Sequence, residues 1–205
     1  MIQPIQFIDL KRQHEPLKDE IENAIRSVIE KNSFVLGEEV EEFEKSFAAY
    51  CGTKECVGVS SGVDAIFLSL KALGIGPGDE VITTTHTFIA TAFAISRSGA
   101  KPVLVDCNEH DFNIDTEKIE GAIAEKTKAI IVCSPNNPTG SIISREDLQV
   151  LGNLAREHGY RPSLLENIWA LNEKVRTDKD WLNILGATTE NSIKNENNFF
   201  KKFIS

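Results

Sequence analysis

The first fifty residues carry two apolar patterns with helical spacing. Apolar residues recur three or four positions apart between Leu17 and Glu30, which predicts an amphipathic helix. A second helix is predicted from Glu38 to about Tyr50, with apolar side chains on one face and glutamates on the other. Residues 3–10 precede both helices and are predicted to form a short extended arm. This N-terminal part is therefore expected to be helical.

From residue 57 onward, short apolar runs alternate with amphipathic segments. A strand-like segment over residues 57–60 leads into a helix that reaches Leu70. Further strands are predicted at Glu80–Thr84, Pro102–Asp106 and Ala129–Cys133, and further helices at Thr87–Ser98, Thr116–Ala124 and Arg145–His158, the last with Gly159 as its C-cap. This alternation predicts βαβ units. The expected fold class is therefore α/β, a mostly parallel sheet flanked by helices on both faces.

Three polar loops follow predicted strands, at residues 61–62, 85–88 and 134–140. Parallel strands end at the same edge of a sheet, and open α/β sheets bind ligands at that edge. We therefore expect the three loops to share one rim and to hold the ligand site.

The turn at Ser61 and Gly62 has two interpretations. Glycine lets the backbone approach a ligand closely, and the free N–H groups at a helix start suit a phosphate or a carboxylate. The alternative is an ordinary strand-to-helix turn in which Ser61 caps the helix. The residues of the turn leave both interpretations open.

Composition and charge narrow the class of partners. The chain has 205 residues, and its formal net charge of −9 argues against nucleic acid or an anionic membrane surface. No apolar run approaches the roughly 20 residues of a membrane helix, and the N-terminus lacks a signal-peptide pattern. The cysteines and histidines show no metal-ligand spacing. No metal site is therefore expected, and a cytoplasmic protein with reduced thiols is the simplest interpretation.

The character of the sequence changes after Tyr160. Residues 161–205 show no sustained period, become rich in asparagine and contain no further βα unit. We expect residues 1–160 to form the N-terminal part of a larger α/β domain, and residues 161–205 to be a divergent, partly disordered tail.

Motifs spread over about residues 5–160 resemble the DegT/DnrJ/EryC1/StrS family of pyridoxal-phosphate-dependent sugar aminotransferases of fold type I. In chain order they are Phe7–Leu10, Phe34–Glu44, Val59–Ala65, Gly74–Ile82, Thr85–Thr91, Gly99–Asp106 and Asn113–Asp115. The resemblance implies a truncated fold-type-I large domain that binds pyridoxal 5′-phosphate. It also implies that the family's C-terminal small domain is absent.

The resemblance assigns cofactor contacts to the first two loops. In such enzymes the turn matching Ser61, Gly62 and Val63 binds the cofactor phosphate through backbone N–H groups. The aromatic residue matching Phe88 stacks on the pyridine ring, with core packing as the alternative role for this side chain.

The third loop departs from the pattern of the family. Residues 134–140 are similar instead to the Asn-Pro-Thr-Gly loop of class I/II aminotransferases, such as the histidinol-phosphate group. There, the asparagine matching Asn137 hydrogen-bonds the phenolic oxygen of the cofactor. A plain Pro/Gly turn after a buried strand is the alternative.

Two catalytic groups of the family are not found. Transamination requires a lysine that links covalently to the cofactor and a carboxylate beside the pyridine nitrogen. With two residues inserted, Asn167 stands where the aspartate is expected, and Glu166 would need a register shift that turns it to the other face. Lys174, Lys179 and Lys194 lack the Ser-rich, Gly-flanked context of the family lysine. We therefore predict no catalytic residue and no covalent attachment of the cofactor.

These observations leave two functions open. The first is the family reaction, transfer of an amino group from an amino acid to a keto-sugar nucleotide by a homodimer, for polysaccharide or secondary-metabolite biosynthesis. Little or no activity is then expected of this polypeptide. The second is a non-catalytic remnant, truncated, frame-shifted or degenerate, that binds phosphate or a paralogous subunit. A dehydratase of the family is excluded because no histidine that could replace the lysine follows His158.

Overall fold

The computed structural model describes residues 8–51 and 53–158, in two compact units that divide after Gly58. We call them the N-terminal unit and the C-terminal unit. The predictions for residues 3–7, for the cap at Gly159 and for residues 161–205 lie outside the described residues.

The N-terminal unit is helical, as predicted. Helix α1 spans Leu10–His14, a 3₁₀ turn spans Glu15–Leu17, and helices α2 and α3 span Lys18–Lys31 and Glu38–Cys51. The prediction of an extended arm is wrong at its C-terminal end, because helix α1 already begins at Leu10. Asp9 explains this start: its carboxylate accepts a hydrogen bond from the backbone N–H of Arg12, 3.0 Å away, and so caps α1.

The C-terminal unit contains a three-stranded parallel sheet of order β2-β1-β3. The strands are β1 (Glu80–Thr84), β2 (Lys101–Val105) and β3 (Thr127–Ile131), each within two residues of its predicted position. The described part of this unit also contains helices α4 (Gly62–Ala72), α5 (Ala90–Ser98) and α6 (Arg145–Glu157). The prediction of a parallel sheet with intervening helices is confirmed.

Both faces of the sheet are covered. Val81 and Ile82 are neighbours on β1, so their side chains point to opposite faces, and neither is exposed to solvent. Val81 belongs to a buried cluster with Leu70 of α4 and Ile95 of α5. The cluster on the other face comprises Ile82, Val105, Ile114, Ile119, Ile143, Leu148, Leu151 and Leu154. Helices therefore pack on the two sides of β1, as expected for βαβ units.

Two predicted elements are wrong. Residues 57–60 form no strand: Gly58 donates its backbone N–H to Glu44 Oε1 of α3, 2.6 Å away, and the segment pairs with none of the three described strands. The segment Thr116–Ala124 forms two 3₁₀ turns, Thr116–Lys118 and Glu120–Ala122, in place of an α-helix. The backbone N–H groups of Lys118, Ile119, Ala122 and Ile123 each donate to the carbonyl three residues earlier, and the chain becomes extended at Ile123, before β3.

Helix boundaries near the rim also differ from prediction. Helix α5 begins at Ala90 and not at Thr87, so Phe88 lies on the loop that joins β1 to α5. Helix α6 follows its prediction closely, with His158 as its C-cap.

Within residues 8–51 and 53–158, no helix combines the length and the apolar character needed to cross a membrane. No cluster of three or more His, Cys, Asp or Glu side chains in that part could hold a metal ion.

Candidate functional site

The start of α4 offers free backbone donors. Ser61 is the N-cap: its backbone is extended, and its hydroxyl accepts a hydrogen bond from the N–H of Asp64 at 3.2 Å. The first helical hydrogen bond runs from the N–H of Ala65 to the carbonyl of Ser61, at 2.9 Å. The N–H groups of Gly62 and Val63 precede this bond and so have no partner within the helix. An anion can accept hydrogen bonds from both N–H groups.

The space beside this helix start is open. A Cβ atom added to Gly62 would meet no other atom within 4 Å, so a ligand can approach the backbone there. Ser60, Ser61 and Gly62 are all exposed. With the positive end of the helix dipole, these donors fit a group such as phosphate. Ser61 therefore caps the helix, as one interpretation of the sequence has it, and the anion site at the two free donors stays a prediction.

Asp64 places a negative charge on the same first turn. Its carboxylate accepts hydrogen bonds from the hydroxyls of Ser60 and Ser61 and forms an ion pair with Arg97 of α5. The Ser60 hydroxyl, the Arg97 guanidinium and the Ser61 hydroxyl together lower the pKa of Asp64. The guanidinium also lies 4.3 Å from the centre of the Phe67 ring. Arg97 thus offsets the charge that would otherwise oppose an anion at this turn.

Phe88 is available to a ligand. Its side chain is 58% exposed on the loop between β1 and α5, and it belongs to neither buried cluster. An exposed aromatic ring at the carboxyl end of a strand can stack on a flat ligand. Its stacking role stays a prediction, and the described core does not use this side chain.

The asparagines of the third loop have different environments. Asn137 is exposed, whereas Asn136 is only 3% exposed and donates from Nδ2 to the carbonyl of Phe112 at 2.9 Å. Sequence reasoning selected Asn137 by resemblance and missed Asn136. Two adjacent asparagines carry the same chemistry, and no sequence signal tells which one the fold buries.

His86 joins the second and third loops. Its backbone N–H donates to Thr84 Oγ1 at 3.2 Å, its ring lies 5.4 Å from the Phe112 ring, and its Nδ1 lies 3.5 Å from Asn136 Nδ2. The loops after β1 and β3 therefore meet at one rim, as predicted for these two of the three loops, whereas the turn at residues 61–62 follows no strand of the described sheet. Among the described residues, no hydrogen bond or ring contact joins Ser61, Gly62 or Val63 to Phe88 or Asn137.

Comparison with known proteins finds that the chain is similar to an aminotransferase family and to individual sugar transaminases. The model of the DegT/DnrJ/EryC1/StrS aminotransferase family matches residues 15–161. The chain is 42% identical over 161 residues to dTDP-3-amino-3,6-dideoxy-alpha-D-galactopyranose transaminase of Aneurinibacillus thermoaerophilus, with 76% of this chain and 44% of the relative covered. It is 43% identical over 155 residues to dTDP-3-amino-3,4,6-trideoxy-alpha-D-glucose transaminase of Streptomyces venezuelae, with 76% and 39% covered.

Solved structures show the same likeness. The crystal structure of S. venezuelae DesV in complex with a ketimine intermediate superposes with a TM-score of 0.71 at 41% identity, covering 80% of this chain and 42% of that one. The structure of NtdA from Bacillus subtilis with bound cofactor PMP gives a TM-score of 0.69 at 33% identity, covering 81% and 37%. The chain therefore spans about two fifths of the length of the curated relatives it matches.

Proposed function

The chain belongs to the DegT/DnrJ/EryC1/StrS aminotransferase family, and on this premise we propose that it forms the phosphate- and ring-binding part of a pyridoxal-phosphate-dependent nucleotide-sugar aminotransferase. The reaction class is transfer of an amino group from an amino acid to a keto-sugar nucleotide. The similarity to transaminases of dTDP-linked amino sugars supports this substrate class. The proposed assembly is a homodimer in the cytoplasm, as in the family.

The observation that carries the proposal is the open helix start at α4. It lies within the segment that the family model matches, and the N–H groups of Gly62 and Val63 have no helical partner. We assign the cofactor phosphate to these donors and to Ser61, which also shapes the turn as its cap. Arg97 keeps the Asp64 carboxylate paired and so favours a dianion beside it.

The remaining assignments concern the pyridine ring. Phe88, exposed at the end of β1, is the proposed stacking partner. Asn137, exposed on the loop after β3, is a weaker candidate for a contact with the phenolic oxygen. When bound, pyridoxal phosphate supplies an electron sink for bond changes at the carbon that bears the amino group. This chain's own described residues bind and orient it.

We further propose that this polypeptide binds the cofactor without a covalent link and has little or no transaminase activity. Lys174, Lys179 and Lys194 lack the sequence context of the family lysine. The second candidate function, a non-catalytic remnant that binds phosphate, is favoured by the same helix start, which needs no lysine to hold an anion.

Phosphate recognition is tested by cofactor binding to the full chain. Pyridoxal 5′-phosphate should bind at least about tenfold more tightly than pyridoxal, a difference of about 1.4 kcal/mol. Gly62→Asp should abolish this preference, because a carboxylate at the helix start repels phosphate while its Cβ meets nothing within 4 Å. Gly121→Asp is the matched control, since a Cβ there is equally free. Equal affinity for both ligands would refute the phosphate site.

Covalent attachment is tested by borohydride reduction of the chain with pyridoxal 5′-phosphate, followed by peptide mass spectrometry. We expect no stoichiometric adduct on any single lysine. One modified lysine at full occupancy, together with amino transfer to a keto-sugar nucleotide, would contradict the non-catalytic assignment and leave the family reaction in place.

A further inference from the structure

The loops that follow β1 and β3 meet at a small cluster of His86, Phe112 and Asn136, which we call the rim cluster. Asn136 Nδ2 lies 2.9 Å from the carbonyl oxygen of Phe112 and 3.5 Å from Nδ1 of His86. The imidazole also packs against the Phe112 ring, with centroids 5.4 Å apart and planes tilted by 37°. One buried amide and one aromatic ring therefore hold the same imidazole.

The carbonyl of Phe112 decides which way the Asn136 amide faces. A carbonyl oxygen only accepts hydrogen bonds, so the amide atom 2.9 Å from it must be the nitrogen. The opposite orientation would place two oxygens against each other. The amide oxygen, Oδ1, is then buried with no hydrogen-bond partner among the described residues. The contacts of the nitrogen thus determine the orientation of this side chain.

The same amide nitrogen decides the tautomer of His86. Nδ2 is a donor, so Nδ1 of the imidazole must accept, and the neutral ring then carries its proton on Nε2. His86 is half-buried, and its Nε2 makes no hydrogen bond within residues 8–51 and 53–158. The rim cluster therefore leaves one N–H donor without a protein partner in the described part of the chain.

We propose that Asn136 is a positioning residue that holds His86 as its Nε2–H tautomer, and that His86 donates this N–H to an oxygen substituent of the cofactor ring. The ligand step rests on the proposed function. Phe88, the proposed stacking partner of the ring, lies two positions after His86 on the same loop. The phosphate oxygens are assigned to the start of α4, so the acceptors left for His86 are those on the ring.

The tautomer is tested on the full chain without ligand. Long-range ¹H–¹⁵N correlations of ¹⁵N-histidine-labelled protein show which ring nitrogen carries the proton, and His86→Gln identifies the signal of His86. We expect Nε2–H in the natural chain and Nδ1–H in Asn136→Asp, because aspartate replaces the donor by an acceptor. An Nδ1–H signal in the natural chain overturns the proposal, as does an unchanged tautomer in folded Asn136→Asp. If Asn136→Asp does not fold, the natural chain decides.

The ligand step is tested by titration with pyridoxal 5′-phosphate. His86→Phe keeps a ring but removes the donor, and should weaken binding about tenfold. His86→Gln keeps a side-chain N–H and should stay within about threefold of the natural chain. Inorganic phosphate should bind the natural chain and His86→Phe equally. Unchanged cofactor affinity in His86→Phe overturns the ligand step alone. No cofactor binding by the natural chain refutes both the proposed function and the ligand step, while the tautomer result still decides the role of Asn136.

Discussion

Asp64 is the residue that ties the start of α4 to α5. Its carboxylate takes hydrogen bonds from Ser60 and Ser61 and pairs with Arg97, whose guanidinium also lies over the Phe67 ring. The contacts of the carboxylate with Ser60, Arg97 and Ser61 favour its ionised form, which explains the lowered pKa of Asp64. The same group shapes the helix start and governs its response to acid.

Acid should selectively remove the contribution of Asp64 to stability. Its pKa is lower in the folded chain than in the unfolded chain, where an aspartate titrates near pH 3.9. The stabilisation is therefore present above about pH 4 and is lost as the pH falls through the folded-state pKa. The difference in free energy of unfolding between the natural chain and Asp64→Asn should shrink between pH 6 and pH 2.5, roughly, in urea titrations.

Glu109→Gln is the matched control for this experiment. It also removes a carboxylate, but Glu109 is exposed and makes no hydrogen bond or ion pair among the described residues. A difference between the natural chain and Asp64→Asn that stays constant with pH would show that the contacts of Asp64 do not favour its ionised form.

Gly99 is a position where any side chain should cost stability. Its φ is +92°, and an added Cβ would lie 2.8 Å from Cγ of Pro77. Gly99→Ala should therefore lower the free energy of unfolding by about 1–3 kcal/mol, through backbone strain and a clash. Gly121→Ala, where a Cβ meets nothing within 4 Å, should cause no loss in the same urea titration. Equal effects at both positions would contradict this account.

At the residue scale, the sequence indicated which residue types belong to the candidate site, but it did not indicate the long-range contacts that position them. Ser61 and Gly62 could be selected because a cap and a flexible residue before an apolar helix form a local signal. Asn136 could not, because its burial depends on the carbonyl of Phe112, which is 24 residues away in the chain. His86 acquires its place through the same long-range contact.

At the element scale, the N-cap of α6 is also hydrogen-bonded to the 3₁₀ turn that begins at Thr116. Ser144 Oγ accepts from the N–H of Asp147 at 3.0 Å and donates to its carboxylate at 2.6 Å. The other carboxylate oxygen accepts from Thr116 Oγ1 at 2.8 Å. The cap therefore joins α6 to the 3₁₀ turn that begins at Thr116.

Loss of this cap should destabilise the C-terminal unit. Ser144→Ala removes both hydrogen bonds to Asp147, and we expect a loss of about 0.5–2 kcal/mol in the free energy of unfolding, measured by urea titration. Ser96→Ala, at an exposed position of α5, is the control and should stay within about 0.5 kcal/mol of the natural chain. A loss no greater than that of the control would mean that the cap contributes nothing.

The elements that could be predicted are those with a strong local pattern. Strand β1 begins at its short β-branched run, and helix α3 begins where the helical period of its apolar residues begins. The predictions of a strand at residues 57–60 and of a helix at Thr116–Ala124 are wrong because the conformation of each segment depends on other parts of the chain. A strand needs a partner for its hydrogen bonds, and the second segment must turn into β3. The spacing of apolar residues within a segment indicates neither the absence of a partner strand nor the turn into the next strand.

At the scale of the whole molecule, the two units differ in how well they bury their apolar residues. The C-terminal unit places Val81 and Ile82 of its central strand in separate clusters on the two sheet faces. Helix α2 of the N-terminal unit has no buried residue, and its apolar face is exposed along its length. The exposed fractions on that face are 40% for Ile21, 54% for Ile25 and 56% for Ile29. We call these three residues the α2 stripe.

The α2 stripe should drive self-association, in keeping with the proposed homodimer. Burial of large apolar side chains is favourable, and contiguous exposed patches of them mark interaction surfaces. Ile25→Gln removes the central apolar side chain but preserves helix propensity, and should raise the dissociation constant about tenfold in sedimentation velocity over a concentration series. Leu73→Gln, at a position of the C-terminal unit that is 49% exposed, should leave the constant unchanged. A natural chain that remains monomeric at every concentration would contradict the homodimer. A dimer that is equally insensitive to both substitutions would place its interface elsewhere, since the loss of one central isoleucine from a buried stripe must weaken association.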